Sequence, residues 1–90
     1  MTITVSGIEF DHCHYDGRGD VLYLSIGVPR EPAEAFETEE GHNVEYDERG
    51  SVIGLVLLNV RRTLEREGEL KLTWPPAHLP ARDLEAALAA

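Results

Sequence analysis

His12, His14 and Asp16 stand two residues apart, and on a regular strand that spacing projects all three side chains from one face. Imidazole and carboxylate are suitable ligands for a divalent ion. With Asp20 or His42 added, for instance through a bulge near Gly17, they would form the site of a metal-binding protein or a metal-dependent hydrolase. The opposing reading is a polar, solvated strand face with Cys13 turned the other way into the core. We take that reading as the primary one, because His-x-His fixes no third ligand. No resident metal is expected.

Other chemistry is thinner still. Cys13 as a nucleophile would need a base and a lowered pKa, and on a strand its flanking histidines point away from it. Ser6, Ser25 and Ser51 lie outside any Gly-x-Ser-x-Gly elbow. Neither a phosphate-binding loop nor a Gly-x-Gly-x-x-Gly run occurs, so no nucleotide or other cofactor is expected. Arg18-Gly19-Asp20 spells an adhesion tripeptide, which chance explains in a chain with no export signal. Asp16 and Asp47 would make an acid–base couple only if two turns brought them together, and turn capping accounts for both. No catalytic residue is assigned.

Charge carries more information. The chain has a net charge of -9, which argues against nucleic acid, where affinity rests on Lys and Arg contacts to phosphate. Eight acids and no base lie between Glu31 and Glu48, whereas five acids face five bases from Arg61 onward. The acidic character is thus local. Glu37, Glu39 and Glu40 are its candidate partner-binding residues, suited to a basic protein.

The elements that must position these groups follow from periodicity. Ile3, Val5, Ile8 and Phe10 alternate around Ser6-Gly7, a strand with a turn or bulge. Val21 to Ile26 and Val52 to Leu58 are β-branched, aromatic and apolar on both sides, which reads as central strands. Arg30 to His42 forms a loop in which Ala33 to Glu40 fits a short edge strand or a helical turn. Asn43 to Asp47 alternates. Asn59 is placed to cap a helix that buries Val60 and Leu64 and stops at Gly68. Leu70, Leu72 and Trp74 alternate as a half-buried strand ended by Pro75-Pro76, and a last helix from about Ala81 offers Leu84 and Leu88.

Tyr15 to Leu24 aligns with Tyr46 to Leu55 at an offset of 31, with six of ten positions identical. Shared hairpin grammar explains this: an aspartate caps the turn, a glycine takes positive φ, and a strand follows. The sharper explanation is a duplicated hairpin that gives the sheet a pseudo-twofold. Both make the segments hairpins.

These segments resemble the small bacterial domain-of-unknown-function family 2283. The resemblance rests on Tyr15-Asp16, Asp20-Val21-Leu22-Tyr23-Leu24, the acidic loop from Glu31, Glu45-Tyr46-Asp47-Glu48-Arg49-Gly50, and Val52 to Leu58. It covers roughly Tyr15 to Asn59. Family members commonly carry Gly-hydrophobic-Glu after the second hairpin, where Gly54-Leu55-Val56 has no acid. The resemblance implies a small sheet with a helix and carries over no catalytic residue.

The reading is therefore one domain over residues 1–90, α+β, with an antiparallel sheet of about five or six strands built on two hairpins and a C-terminal helix. A single cysteine, no basic leader and no apolar run of ~20 residues point to the cytoplasm and away from the membrane. The expected function is a non-enzymatic protein-binding module, an antitoxin-like neutralising partner of a basic protein. The alternatives are the His12, His14, Asp16 metal site and a purely self-associating protein. Central strands apolar on both sides, with little helix to cover them, also predict a homodimer.

Overall fold

The computed structural model describes residues 1–89. Its centre is a five-stranded antiparallel sheet in the order β3 (His12–Asp16), β4 (Val21–Ser25), β7 (Val52–Leu58), β6 (Asn43–Tyr46), β5 (Glu34–Glu37). The two apolar segments become β4 and β7, two of the three inner strands, as apolar residues on both sides require. Hairpin β1 (Ile3–Val5) and β2 (Ile8–Phe10) precede the sheet. Helix α1 (Val60–Glu67), hairpin β8 (Glu69–Leu72) and β9 (Ala77–Pro80), and helix α2 (Ala81–Ala89) follow it. The fold is α+β, and the two hairpins read from the repeat lie within the main sheet.

One face of that sheet is packed. Leu22, Leu24, Leu55, Leu57 and Val44 are buried there against Phe10, Val60, Leu70 and Leu84 from the flanking elements. Burying one such side chain stabilises by about 1.5–3 kcal/mol, so this face holds the domain together. Cys13 and Tyr15 pair with Leu24 and Leu22 and pack against the same core. On α2, Leu84 and Ala87 are buried while Leu88 is only partly so.

The opposite face carries His12, His14 and Asp16 on β3, Tyr23 on β4 and Val56 on β7, by the two-residue alternation of the registers. Tyr23 keeps 44% of its surface exposed. The loop after β4 adds Ile26 and Val28, also exposed. Both helices bury their apolar residues in the core on the other side.

The repeat has a geometric meaning. Leu24 pairs with Leu55 across β4 and β7, and these are the residues that the 31-residue offset relates. A local twofold normal to the sheet therefore passes through that pair and exchanges hairpin β3–β4 with hairpin β6–β7. The pseudo-twofold register holds from Asn43 to Glu45 and is broken by a bulge before Tyr46.

Within the loop from Arg30 to His42, the edge-strand alternative is the one formed, as β5 (Glu34–Glu37), which among the described residues pairs only with β6. Two local expectations change. The strand expected through Trp74 stops at Leu72, and Thr73 begins the turn to β9, a strand the alternation did not show. Asn59 is the N-cap residue of α1, yet its left-handed φ of 53° leaves its side chain out of the cap.

Candidate functional site

Aspartate 20 supplies what Asn59 does not. Its Oδ1 accepts the Arg61 N–H at 2.8 Å and the Tyr15 hydroxyl at 2.7 Å, and its Oδ2 accepts the Arg62 N–H at 3.1 Å. Two of the free amides at the start of α1 are satisfied by a carboxylate some forty residues away in sequence. Partial burial opposes ionisation of Asp20, but the Arg61 amide, the Tyr15 hydroxyl and the Arg62 amide together hold its pKa below the ordinary value. The Arg61 guanidinium lies 5.5 Å over the Tyr15 ring.

This arrangement draws Asp20 to the packed side of β3, away from His12, His14 and Asp16 on the open side. His42 is elsewhere, buried beside β7, where its Nδ1 accepts the Leu58 N–H at 3.0 Å. Burial pushes its pKa down, against the pull of nearby Glu40. His12, His14 and Asp16 do share a face, and His14 stacks on Tyr23 at 6.1 Å between ring centres. Among the described residues, no three His, Cys, Asp or Glu side chains form a group that could hold a metal ion.

The two turn aspartates act alike and apart. Asp16 Oδ1 accepts the Arg18 and Gly19 amides at 3.0 and 3.4 Å. Asp47 Oδ1 accepts the Arg49 and Ser51 amides at 2.8 and 3.0 Å. Because β4 and β7 run antiparallel, with Val21 opposite Leu58 and Ser25 opposite Gly54, the two turns lie at opposite ends of the sheet. They cannot work as an acid–base couple.

The acidic segment has more structure than its composition suggests. Every residue of β5 is exposed. Phe36, on that strand, is 57% exposed and meets the Tyr46 ring edge-on at 5.7 Å. Trp74 is 59% exposed and donates its indole N–H to the Tyr46 hydroxyl at 2.9 Å. Phe36, Tyr46 and Trp74 line one shallow cavity of about 180 Å³ together with Glu37 and Glu39. Glu40 turns to the other hairpin, where it accepts the Thr73 hydroxyl at 2.6 Å and the Thr73 N–H at 3.1 Å. The Thr73 hydroxyl leads the contacts that hold its carboxyl below the usual range.

Charge counting found the carboxylates of this region and missed its aromatic residues. The available signal was Phe36, a lone large apolar residue within an acidic stretch, and Trp74, placed directly before two prolines.

The family model described as protein of unknown function (DUF2283) matches residues 12–61, more than half of the chain. No curated protein and no solved structure matches. Among the described residues, no helix is long and apolar enough to cross a membrane.

Proposed function

The chain belongs to the DUF2283 family, and from that premise we propose that it is a non-enzymatic protein-binding module whose β5 edge captures a basic, extended segment of a partner. An antitoxin neutralising a basic protein would work in this way. The observation that carries the reading is the cluster of exposed Phe36 and Trp74 around half-buried Tyr46, beside Glu37 and Glu39 on an unpaired sheet edge. Such an edge offers free N–H and C=O groups to an added strand. Aromatic side chains supply most of the affinity at such surfaces once water is excluded. The carboxylates speed encounter and reject acidic competitors, within about 8 Å at physiological salt. Glu40, tied to Thr73, holds the platform in place. The role suits the cytoplasm, where Cys13 stays reduced.

Trp74 is the chain's single tryptophan, so its emission reports on this surface directly. Titration with a short, extended lysine-rich peptide should shift that emission to the blue and saturate. Salt and the Glu37→Lys/Glu39→Lys variant should both slow association. Emission that stays unchanged at low salt would reject the reading.

A second surface supports self-association. The open sheet face presents Tyr23, Ile26, Val28 and Val56 around a cavity of about 170 Å³. A twofold axis parallel to the strands would set β3 of one copy against β5 and β6 of the other. His12 and His14 would then face Glu37 and Glu45, which lie on the same side of the sheet. Imidazole N–H groups would meet carboxylate acceptors, so the occupant we propose for this face is a second copy of the chain. Light scattering should give about twice the 10.0 kDa chain mass, falling to one chain in Tyr23→Glu/Val56→Glu. A wild-type mass near one chain across a wide concentration range would exclude the dimer.

A further inference from the structure

We infer that the cleft between α1, β8 and the end of β7 binds one small oxyanion group, of the kind a phosphate monoester carries. This cleft, about 370 Å³, is lined by His42, Arg62, Arg66 and Lys71, with Glu40 and Glu67 also contributing. That volume lies in the range of small-molecule sites.

His42 carries the inference. The residue is only 4% exposed, and its ring Nδ1 already accepts the Leu58 N–H. A neutral imidazole that accepts at Nδ1 bears its proton on Nε2. Folding therefore fixes the tautomer and leaves one N–H, without a protein acceptor among the described residues, open to the cleft and not sealed in the core.

The cations around it add direction. Arg66 is satisfied by Glu67 at 2.9 Å. Among the described residues, Arg62 and Lys71 have no carboxylate within ion-pair distance, although the chain as a whole is strongly acidic. Donors thus come from the β5–β6 loop, from α1 and from β8, a spread that suits a tetrahedral oxyanion better than a flat one. Charge-assisted bonds from Arg and Lys to phosphate are among the stronger polar contacts. Glu40 and Glu67 limit the charge the cleft accepts, which disfavours polyphosphates and nucleic acid.

The test uses the full chain labelled with nitrogen-15. Inorganic phosphate and glycerol phosphate should each produce saturable shifts at the Leu58 amide and the His42 ring. Acetate and a nucleoside triphosphate should bind more weakly. Arg62→Gln/Lys71→Gln should weaken phosphate binding by about tenfold or more, since the Arg62 backbone bond to Asp20 survives the change. His42→Asn keeps an acceptor near the Leu58 amide and removes the Nε2 donor, so it should retain the fold and lose affinity. Shifts that never saturate, that persist unchanged in the double variant, or that are stronger with acetate or triphosphate would each overturn the assignment.

Discussion

Hairpins β3–β4 and β6–β7 share a Tyr-Asp turn and exchange across the Leu24–Leu55 pair, yet their tyrosines serve opposite ends. Both rings pack against the core, but Tyr15 donates its hydroxyl to Asp20, which in turn caps α1. At the matching place in the second hairpin, Asp20 is replaced by Ser51. Tyr46 accepts a hydrogen bond from the exposed Trp74 instead. The same divergence occurs one residue pair further from the turn, where the His14–Tyr23 stack corresponds to Glu45 set across from Gly54. Local sequence makes both segments hairpins, and what lies behind each decides its use. The first has the start of α1 behind its turn; the second has β5 and the β8–β9 turn at its side.

Removing the cap should break the comparison most sharply. Asp20→Ala loses two helix-capping bonds and the Tyr15 bond, and should cost about 2–3 kcal/mol in urea unfolding. Ser51→Ala at the equivalent position should stay within about 0.5 kcal/mol. Equal losses at the two sites would mean that the hairpins contribute alike.

Acid should separate the two turns as well. Folding lowers the Asp20 pKa from its ordinary 3.8, so in falling pH the unfolded chain binds the proton first. Its stabilisation is thus complete above that value and is lost as pH drops through the lower, folded one. The Ser51 amide first, then Arg49, depress Asp47 in the same direction, but at an exposed turn. Asp20→Asn should therefore flatten the acid limb of a stability profile more than Asp47→Asn does. His42, depressed by burial, adds a separate loss that begins as pH falls below its ordinary 6.5.

The smallest effect is the most specific. Tyr15→Phe removes a bond to a carboxylate and should cost about 1 kcal/mol. Tyr46→Phe removes the acceptor for the Trp74 indole and should cost only a few tenths of a kcal/mol. It should nevertheless change Trp74 emission, which Tyr15→Phe should leave alone.

Periodicity and turn chemistry by themselves determined the central strands, both Asp-capped turns, the C-terminal end of α1 at Gly68, and the C-terminal helix. Each of these depends on residues within a few positions of one another. The alternation of β3 likewise put His12, His14 and Asp16 on one face and Cys13 on the other. Tertiary structure decided the rest. Glu34 to Glu37 is a strand only because β6 supplies its hydrogen-bond partners, a choice that its own exposed residues, half of them acidic, could not make. Trp74 faces outward because the chain turns at Thr73, where Glu40 from another loop anchors it. Asp20 caps a helix that starts forty residues later, and His42 gains its fixed tautomer from a strand sixteen residues away. Such contacts leave no mark in local spacing, because a hydrogen bond specifies its partner by position in space and not by separation along the chain.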